Sequence, residues 1–219
     1  MKKKIFIIGI GGLTGSKLVE IAKKDFEIFG SYNYRDPKSS IQKNIKLNIS
    51  NSTKIKEILE EIKPDVVINT AGINNVDYCE KNPDLALKIN IQAVKEICQI
   101  TKKLGIKFVQ LSSDSVFDGT KQLPYEEIDE TESINYYGKT KIESEKIVLE
   151  NPNNVVVRAS VLYGYLPHNL AKIESSSKKS INFGQWLINK LSINEKVRII
   201  TDEYSSPIIA DDFARSILH

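Results

Sequence analysis

The chain has 219 residues, 41% of them hydrophobic, and its 31 basic and 28 acidic side chains leave a net charge of +3. That length fits one globular domain with at most a small appended lobe, and the near balance of charge excludes the strongly basic face of a nucleic-acid binder. Two cysteines and two histidines exclude a disulfide framework and a multi-histidine metal centre, and no apolar run approaches the ~20 residues of a membrane-spanning helix. A cytoplasmic protein is expected, with Cys79 and Cys98 as buried or semi-buried free thiols and His168 and the terminal His219 without a metal. Lys2-Lys3-Lys4 reads as a solvated lead-in to the first strand.

Ile5-Phe6-Ile7-Ile8 predicts a strand buried on both faces. A helix follows over residues 12–24, with Leu18, Ile21 and Ala22 turned inward. Strands are expected over residues 27–32 and 44–49, a helix over 52–62 ahead of Pro64, and a strand over 65–69. Pro83 opens a long helix to residue 104, and Gly105 ends it. A strand over 107–112, a helix over 135–149 and a strand over 154–159 complete the pattern. Strands alternating with helices imply right-handed crossovers, so the fold class is α/β, a Rossmann-type doubly wound parallel sheet over residues 1–160. Beyond Ala159 the pattern loosens into a helix over 183–191, a strand over 197–200 and a helix from Ala210. Residues 161–219 therefore read as a small second lobe, not an independent domain. Residues 175–180, Ser-Ser-Ser-Lys-Lys-Ser, read as a polar loop.

Gly9, Gly12 and Gly15 form a G-x-x-G-x-x-G turn between the first strand and the first helix. Gly9 allows the turn, Gly12 lets a pyrophosphate approach the backbone, and Gly15 lets the helix pack on the sheet. The helix N-terminus offers free N–H groups and partial positive charge to the phosphates. The G-x-G-x-x-G form of the fingerprint is met only in part, because Thr14 stands at its last position after Gly9 and Gly11. At the end of the second strand, an acidic residue would bind the ribose of NAD. Here Ser31-Tyr32-Asn33-Tyr34-Arg35 carries no acid before Asp36. Tyr32 and Arg35 are cofactor-side candidates, and the planar fork of Arg35 suits a 2′-phosphate. NADP(H) is favoured, with NAD(H) as second choice.

Tyr137 and Lys141 stand four apart at the start of a helix and share its face. A nearby ammonium would lower the phenol pKa from ~10 toward the range of a proton donor at neutral pH. The strand before that helix ends in Leu111-Ser112-Ser113-Asp114, and ligands bind beyond the carboxyl ends of parallel strands. Ser112 or Ser113 can place a hydroxyl beside the tyrosine, and Ser113 is taken as the donor to a developing oxyanion. Ser113, Tyr137 and Lys141 are thus the candidate catalytic set for hydride transfer to a carbonyl, with Tyr137 and Lys141 also touching the cofactor.

The glycine turn, Asn69-Thr70-Ala71-Gly72, Val76-Asp77-Tyr78-Cys79-Glu80, Asn90, the Tyr-x-x-x-Lys pair and Arg158 together resemble an extended short-chain dehydrogenase/reductase. The run from Leu111 to Thr120, Pro124-Tyr125, the run from Asn135 to Lys141, and Asp202-Glu203-Tyr204-Ser205-Ser206-Pro207 are similar to the dTDP-4-dehydrorhamnose reductase family. The resemblance implies that Gly12, Leu13 and Thr14 touch the pyrophosphate and that Asn48 and Ile49 flank the adenine. It implies that Ala71, Gly72 and Ile73 line the centre of the cofactor, and that Ser113 and Asp114 face a nucleotide-linked sugar. It also implies a longer substrate lobe than this chain carries, so residues 161–219 are expected to be a C-terminally truncated part of one. A homodimer is left open. Three positions depart from the family pattern: Ser115 stands in place of a tyrosine, Val161 in place of a tryptophan, and Asn48 in place of an aspartate. Two other functions share the features: a non-catalytic NADP-binding regulatory subunit resembling that of methionine adenosyltransferase, and a sugar-nucleotide epimerase or dehydratase with tightly held NAD.

Overall fold

The computed structural model describes residues 2–166, 170 and 182–219; His168 and the serine-rich stretch 175–180 lie outside them. Six strands form one sheet: β1 (Lys4–Ile8), β2 (Glu27–Tyr32), β3 (Lys43–Lys46), β4 (Val66–Asn69), β5 (Lys107–Ser113) and β6 (Val155–Ala159). Their order is β3-β2-β1-β4-β5-β6, and every pairing is parallel. This is the doubly wound sheet expected from the alternating pattern. The order reverses between β1 and β4, and Ile8 lies level with both Ser31 and Asn69. The chain segments that leave β1, β2 and β4 therefore open onto one crevice, where ligands of such sheets bind.

Helices α1 (Leu13–Ala22), α2 (Ser52–Ile62), α3 (Val76–Lys81), α4 (Pro83–Leu87), α5 (Ala93–Leu104) and α6 (Tyr136–Leu149) connect these strands. Successive strand residues point to opposite faces. Ile5 and Ile7 pack with Leu18 and Val19 of α1, while Phe6 and Ile8 pack with Ile55 and Leu59 of α2 and Ile97 of α5. Both faces of β1 are dry, which is why its sequence is an unbroken apolar run. The expected helix over 83–104 is instead α4 and α5 joined through a wide π turn, Lys88–Gln92. β3 stops at Lys46 and not at residue 49, because its partner β2 ends at Tyr32 and leaves residues 47–49 without a ladder to join.

Beyond β6 lie β7 (Leu162–Tyr163), α7 (Phe183–Ser192), β8 (Ile208–Ile209) and α8 (Ala210–Leu218). β7 and β8 pair as a two-stranded parallel sheet. The strand expected over 197–200 does not form: Ile199 and Ile200 are 50% and 67% exposed, and among the described residues no neighbouring strand hydrogen-bonds them. α8 packs against α1, with Ala214 fully buried and Lys17 bridged to Asp211 at 3.2 Å. Both cysteines are free thiols; burial pushes Cys79 up to about 11 and Cys98 up to about 12.

Candidate active site

Two adjoining cavities open at the carboxyl edge of the sheet, of about 440 and 140 Å3. The glycine turn forms the floor of the larger one. Gly9 holds φ at +98°, and a Cβ on Gly15 would overlap the Gly9 carbonyl, so both are demanded by the turn itself. Gly12 differs. A Cβ there would meet nothing but the Gly9 oxygen at 3.4 Å, so its open side is turned to the cavity. No side chain caps α1 and no acid stands in its first turn, which leaves the N–H groups at its start available to an anion. Leu13 and Thr14 line the same cavity.

Tyr32 and Arg35 form the far wall. Arg35 is 8% exposed, and desolvation lowers its pKa. Asp36, the first acid beyond β2, is engaged by its own neighbours: it accepts from the Lys38 N–H at 2.9 Å, and its hydrogen bond raises the Tyr32 phenol. The smaller cavity brings together Asn48, Ile49 and Ile73, and shares Tyr32, Ala71 and Gly72 with the larger. Asn48 spends its carbonyl oxygen on the N–H and hydroxyl of Ser50, at 3.0 and 2.9 Å.

The opposite wall carries Ser113, Asp114 and Tyr137. α6 is set there by three local contacts. Asn135 caps it by accepting from the Gly138 N–H at 2.8 Å, and Glu80 of α3 accepts from the Tyr136 N–H at 2.6 Å. Gly138 packs so closely that a Cβ would overlap the Ser115 carbonyl oxygen. The first turn of α6 is thereby held against the end of β5.

Lys141 is buried behind this wall, and its ammonium donates to the Leu111 carbonyl at 2.6 Å. The expectation that Lys141 depresses the Tyr137 pKa is corrected here. Burial of the phenol dominates and pushes Tyr137 up to about 12, a rise that hydrogen bonding to Ser113 opposes and the Asp114 charge reinforces. Burial likewise lowers Lys141 to about 8, against the pull of Glu145. The four-residue spacing does put both residues on one side of α6, but desolvation is the largest influence on each of them.

Asn90 was recognisable in the sequence only as part of a motif. In the π turn it is 3% exposed and accepts from the Ile73 N–H at 2.9 Å. Its amide donates to the Ile73 carbonyl at 2.9 Å and to the Thr140 hydroxyl at 3.1 Å. It thus ties the wall of the smaller cavity to α6. A polar residue on the inner stripe of an amphipathic helix was the available signal. Arg158 pairs with buried Glu145 at 2.7 Å and lies 5.1 Å over the Phe117 ring, which holds β6, α6 and the loop after β5 together. Ser112 lines the larger cavity, and its hydroxyl is buried without a hydrogen-bond partner among the described residues. Among those residues, no group of three or more His, Cys, Asp or Glu side chains is placed to hold a metal ion, and no helix is long and apolar enough to cross a membrane.

The family model described as "RmlD substrate binding domain" matches residues 2–219. A Haloferax volcanii protein named "Probable low-salt glycan biosynthesis reductase Agl14" is 30% identical over 97% of this chain and 69% of its own length. The dTDP-4-dehydrorhamnose reductase of Salmonella typhimurium is 30% identical over 78% of this chain and 54% of its own. Methionine adenosyltransferase 2 subunit beta of Bos taurus is also 30% identical, over 84% and 56%. The chain thus spans between about half and two thirds of these relatives. Among solved structures, a dTDP-4-dehydrorhamnose reductase from Clostridium acetobutylicum superposes with a TM-score of 0.82 at 32% identity, covering 98% of this chain and 69% of that one. One from Bacillus anthracis, in complex with NADP, does so with a TM-score of 0.82 at 28% identity, covering 100% and 70%. The resemblance read from the glycine turn and the motifs after β5 is borne out: the chain belongs to the RmlD substrate binding domain family.

Proposed function

We propose that the chain binds NADP(H) along the carboxyl edge of the sheet and reduces the 4-keto group of a nucleotide-linked 6-deoxysugar, with dTDP-4-dehydrorhamnose as the candidate substrate. The observation that carries this reading is that Ser113 and Tyr137 share one cavity with Gly12 and Arg35. The residues fit a dinucleotide. Gly12 leaves open space beside the uncapped start of α1, where a pyrophosphate would be held, and Arg35, which lines the same cavity, would supply the cation for a 2′-phosphate. Asn48, Ile49 and Ile73 would enclose the adenine in the smaller cavity. When bound, the nicotinamide supplies hydride to the carbonyl carbon.

This chain's residues manage the proton. With a pKa of about 12, Tyr137 is neutral at physiological pH and keeps a proton to give to the substrate oxygen. Ser113 would hold that oxygen by hydrogen bonding as charge develops on it. Lys141, lowered to about 8, is still mostly protonated at neutral pH, and its charge would favour the phenolate left behind. The test is NADPH oxidation with dTDP-4-keto-6-deoxy-L-mannose. Tyr137→Phe is expected to lower turnover about 10²–10⁴-fold, the usual worth of a positioned general acid, while NADPH binding persists. Unimpaired reduction by this variant would overturn the assignment.

One observation favours a second reading, that of a non-catalytic NADP-binding subunit. The Lys141 ammonium donates to the Leu111 carbonyl at 2.6 Å, and among the described residues no hydrogen bond joins it to Tyr137. Under that reading the protein binds NADPH and a partner enzyme, reduces no keto sugar, and is indifferent to Tyr137→Phe.

A further inference from the structure

Asp114 does more than border the cavity. The Ser113 hydroxyl donates to its Oδ1 at 3.0 Å, and the Ser160 hydroxyl donates to its Oδ2 at 2.6 Å. Ser160 in turn accepts from the Ser206 backbone N–H at 3.2 Å. A run of hydrogen bonds thus leads from the segment before β8, across the end of β6, to the serine beside Tyr137. A serine has one proton to donate, and an ionised carboxylate only accepts. The one Ser113 proton has two acceptors close by, Asp114 Oδ1 at 3.0 Å and the Ser115 hydroxyl at 3.2 Å, and while Asp114 holds it, it is not available to a substrate oxygen. It can be lent to that oxygen only as far as Asp114 is satisfied by others. Ser160, with the shorter bond, is the group that satisfies it, and hydrogen bonds to a charged acceptor are the stronger kind. The N–H of Ser206 occupies a lone pair on Ser160, which leaves the Ser160 proton directed at Asp114.

We propose that Ser160 and Asp114 are positioning residues that set the direction of the Ser113 proton, and that the Ser206 N–H couples this setting to the segment before β8. Ser160 relaxes the hold of Asp114 on Ser113 and so releases a donor for the substrate oxygen. Docking of the segment at Ser206 keeps Ser160 in that role, so the reaction centre registers whether the substrate side is in place. The proposal rests on the reductase reading for its kinetic consequence, but not for the hydrogen-bond coupling.

Both parts are tested with Ser160→Ala, Ser160→Thr, Asp114→Asn and the Ser160→Ala/Asp114→Asn double variant, beside Tyr137→Phe. In NADPH oxidation, Ser160→Ala is expected to lower kcat about tenfold, as loss of ~1.4 kcal/mol would, with KM for NADPH within twofold of the parent. Ser160→Thr, which keeps the hydroxyl, restores kcat. The double variant is no slower than Asp114→Asn alone, because Ser160 acts through Asp114. Hydrogen exchange of the Ser206 amide is expected to quicken severalfold in Ser160→Ala, and also in Asp114→Asn, which never touches that amide. Full kcat in Ser160→Ala, multiplying effects in the double variant, or unchanged Ser206 exchange in Asp114→Asn would each overturn the proposal. Absence of turnover in the parent would instead overturn the reductase reading, and the exchange comparison would still decide the coupling.

Discussion

Phe108 on β5 is fully buried, whereas Ile188 on α7 is 67% exposed, and the contrast extends to the elements that carry them. Through residue 160, each part of the site is backed by packed side chains: the glycine turn by α1, Tyr137 by the close approach of Gly138, Asn90 by Ile73 and Thr140. Across residues 182–219, α8 packs into the core through Ala214, but α7 buries none of its residues, and α7 and the segment before β8 are attached by discrete contacts. The Asn182 amide donates to the Gly164 carbonyl at 2.7 Å, Ser206 bonds to Ser160, and α8 rests on α1. A surface that must accept a cofactor of fixed shape gains from being built in advance, while a surface held by a few hydrogen bonds can adjust at small cost.

The contrast can be broken most directly by stability. Phe108→Ala is expected to cost about 3–5 kcal/mol in urea unfolding, the range for deleting a large buried aromatic. Ile188→Ala, the counterpart on α7, is expected to change stability by less than about 0.5 kcal/mol. Comparable losses at the two positions would remove the distinction between the regions.

Protonation sharpens it next. Lys141 is lowered from 10.5 to about 8 by burial. Between those values the unfolded chain holds the proton and the folded chain does not, so stability rises with pH across this window by up to about 1.4 kcal/mol per pH unit. Below pH 8 both states are protonated, and the group adds no slope. Lys141→Met is expected to lose this part of the slope, read as the difference between the two proteins' pH–stability curves. NADPH affinity is expected to weaken as pH rises through about 8, when the positive charge near the cofactor site is lost. A pH-independent dissociation constant in that range would count against Lys141 as a cofactor contact.

The smallest structural change separates binding from folding. Gly12→Ala adds a methyl group that the protein itself has room for, so the melting temperature is expected to hold within about a degree. The NADPH dissociation constant is expected to rise at least tenfold, about 1.4 kcal/mol. Gly15→Ala, by contrast, forces the new Cβ onto the Gly9 carbonyl and is expected to lower the melting point. If both variants melted alike and bound alike, the division of the turn into a folding glycine and a binding glycine would fail.

Much of the first region was legible in the amino-acid order. The parallel sheet followed from short apolar runs alternating with amphipathic stretches, and β2 and α2 fall where the pattern placed them. Gly9, Gly12 and Gly15 were readable because a strand-to-helix turn makes local steric demands. Tyr137 and Lys141 were readable as a pair because helical spacing is fixed. The second region was less legible. The strand expected over 197–200 is absent, and β7 pairs with β8, because a strand exists only where another lends it hydrogen bonds and two short segments far apart in sequence carry no mark of each other.

What the sequence determined by itself was therefore everything set by neighbours a few residues away: the strand runs, the glycine turn, the common face of Tyr137 and Lys141. Tertiary structure alone decided the sign of the Tyr137 pKa shift, the π turn that seats Asn90 against Ile73, and the path from Ser206 through Ser160 and Asp114 to Ser113. Each of these depends on burial or on a partner tens of residues distant. Desolvation and hydrogen bonding act across space, and only the folded chain brings those groups within reach.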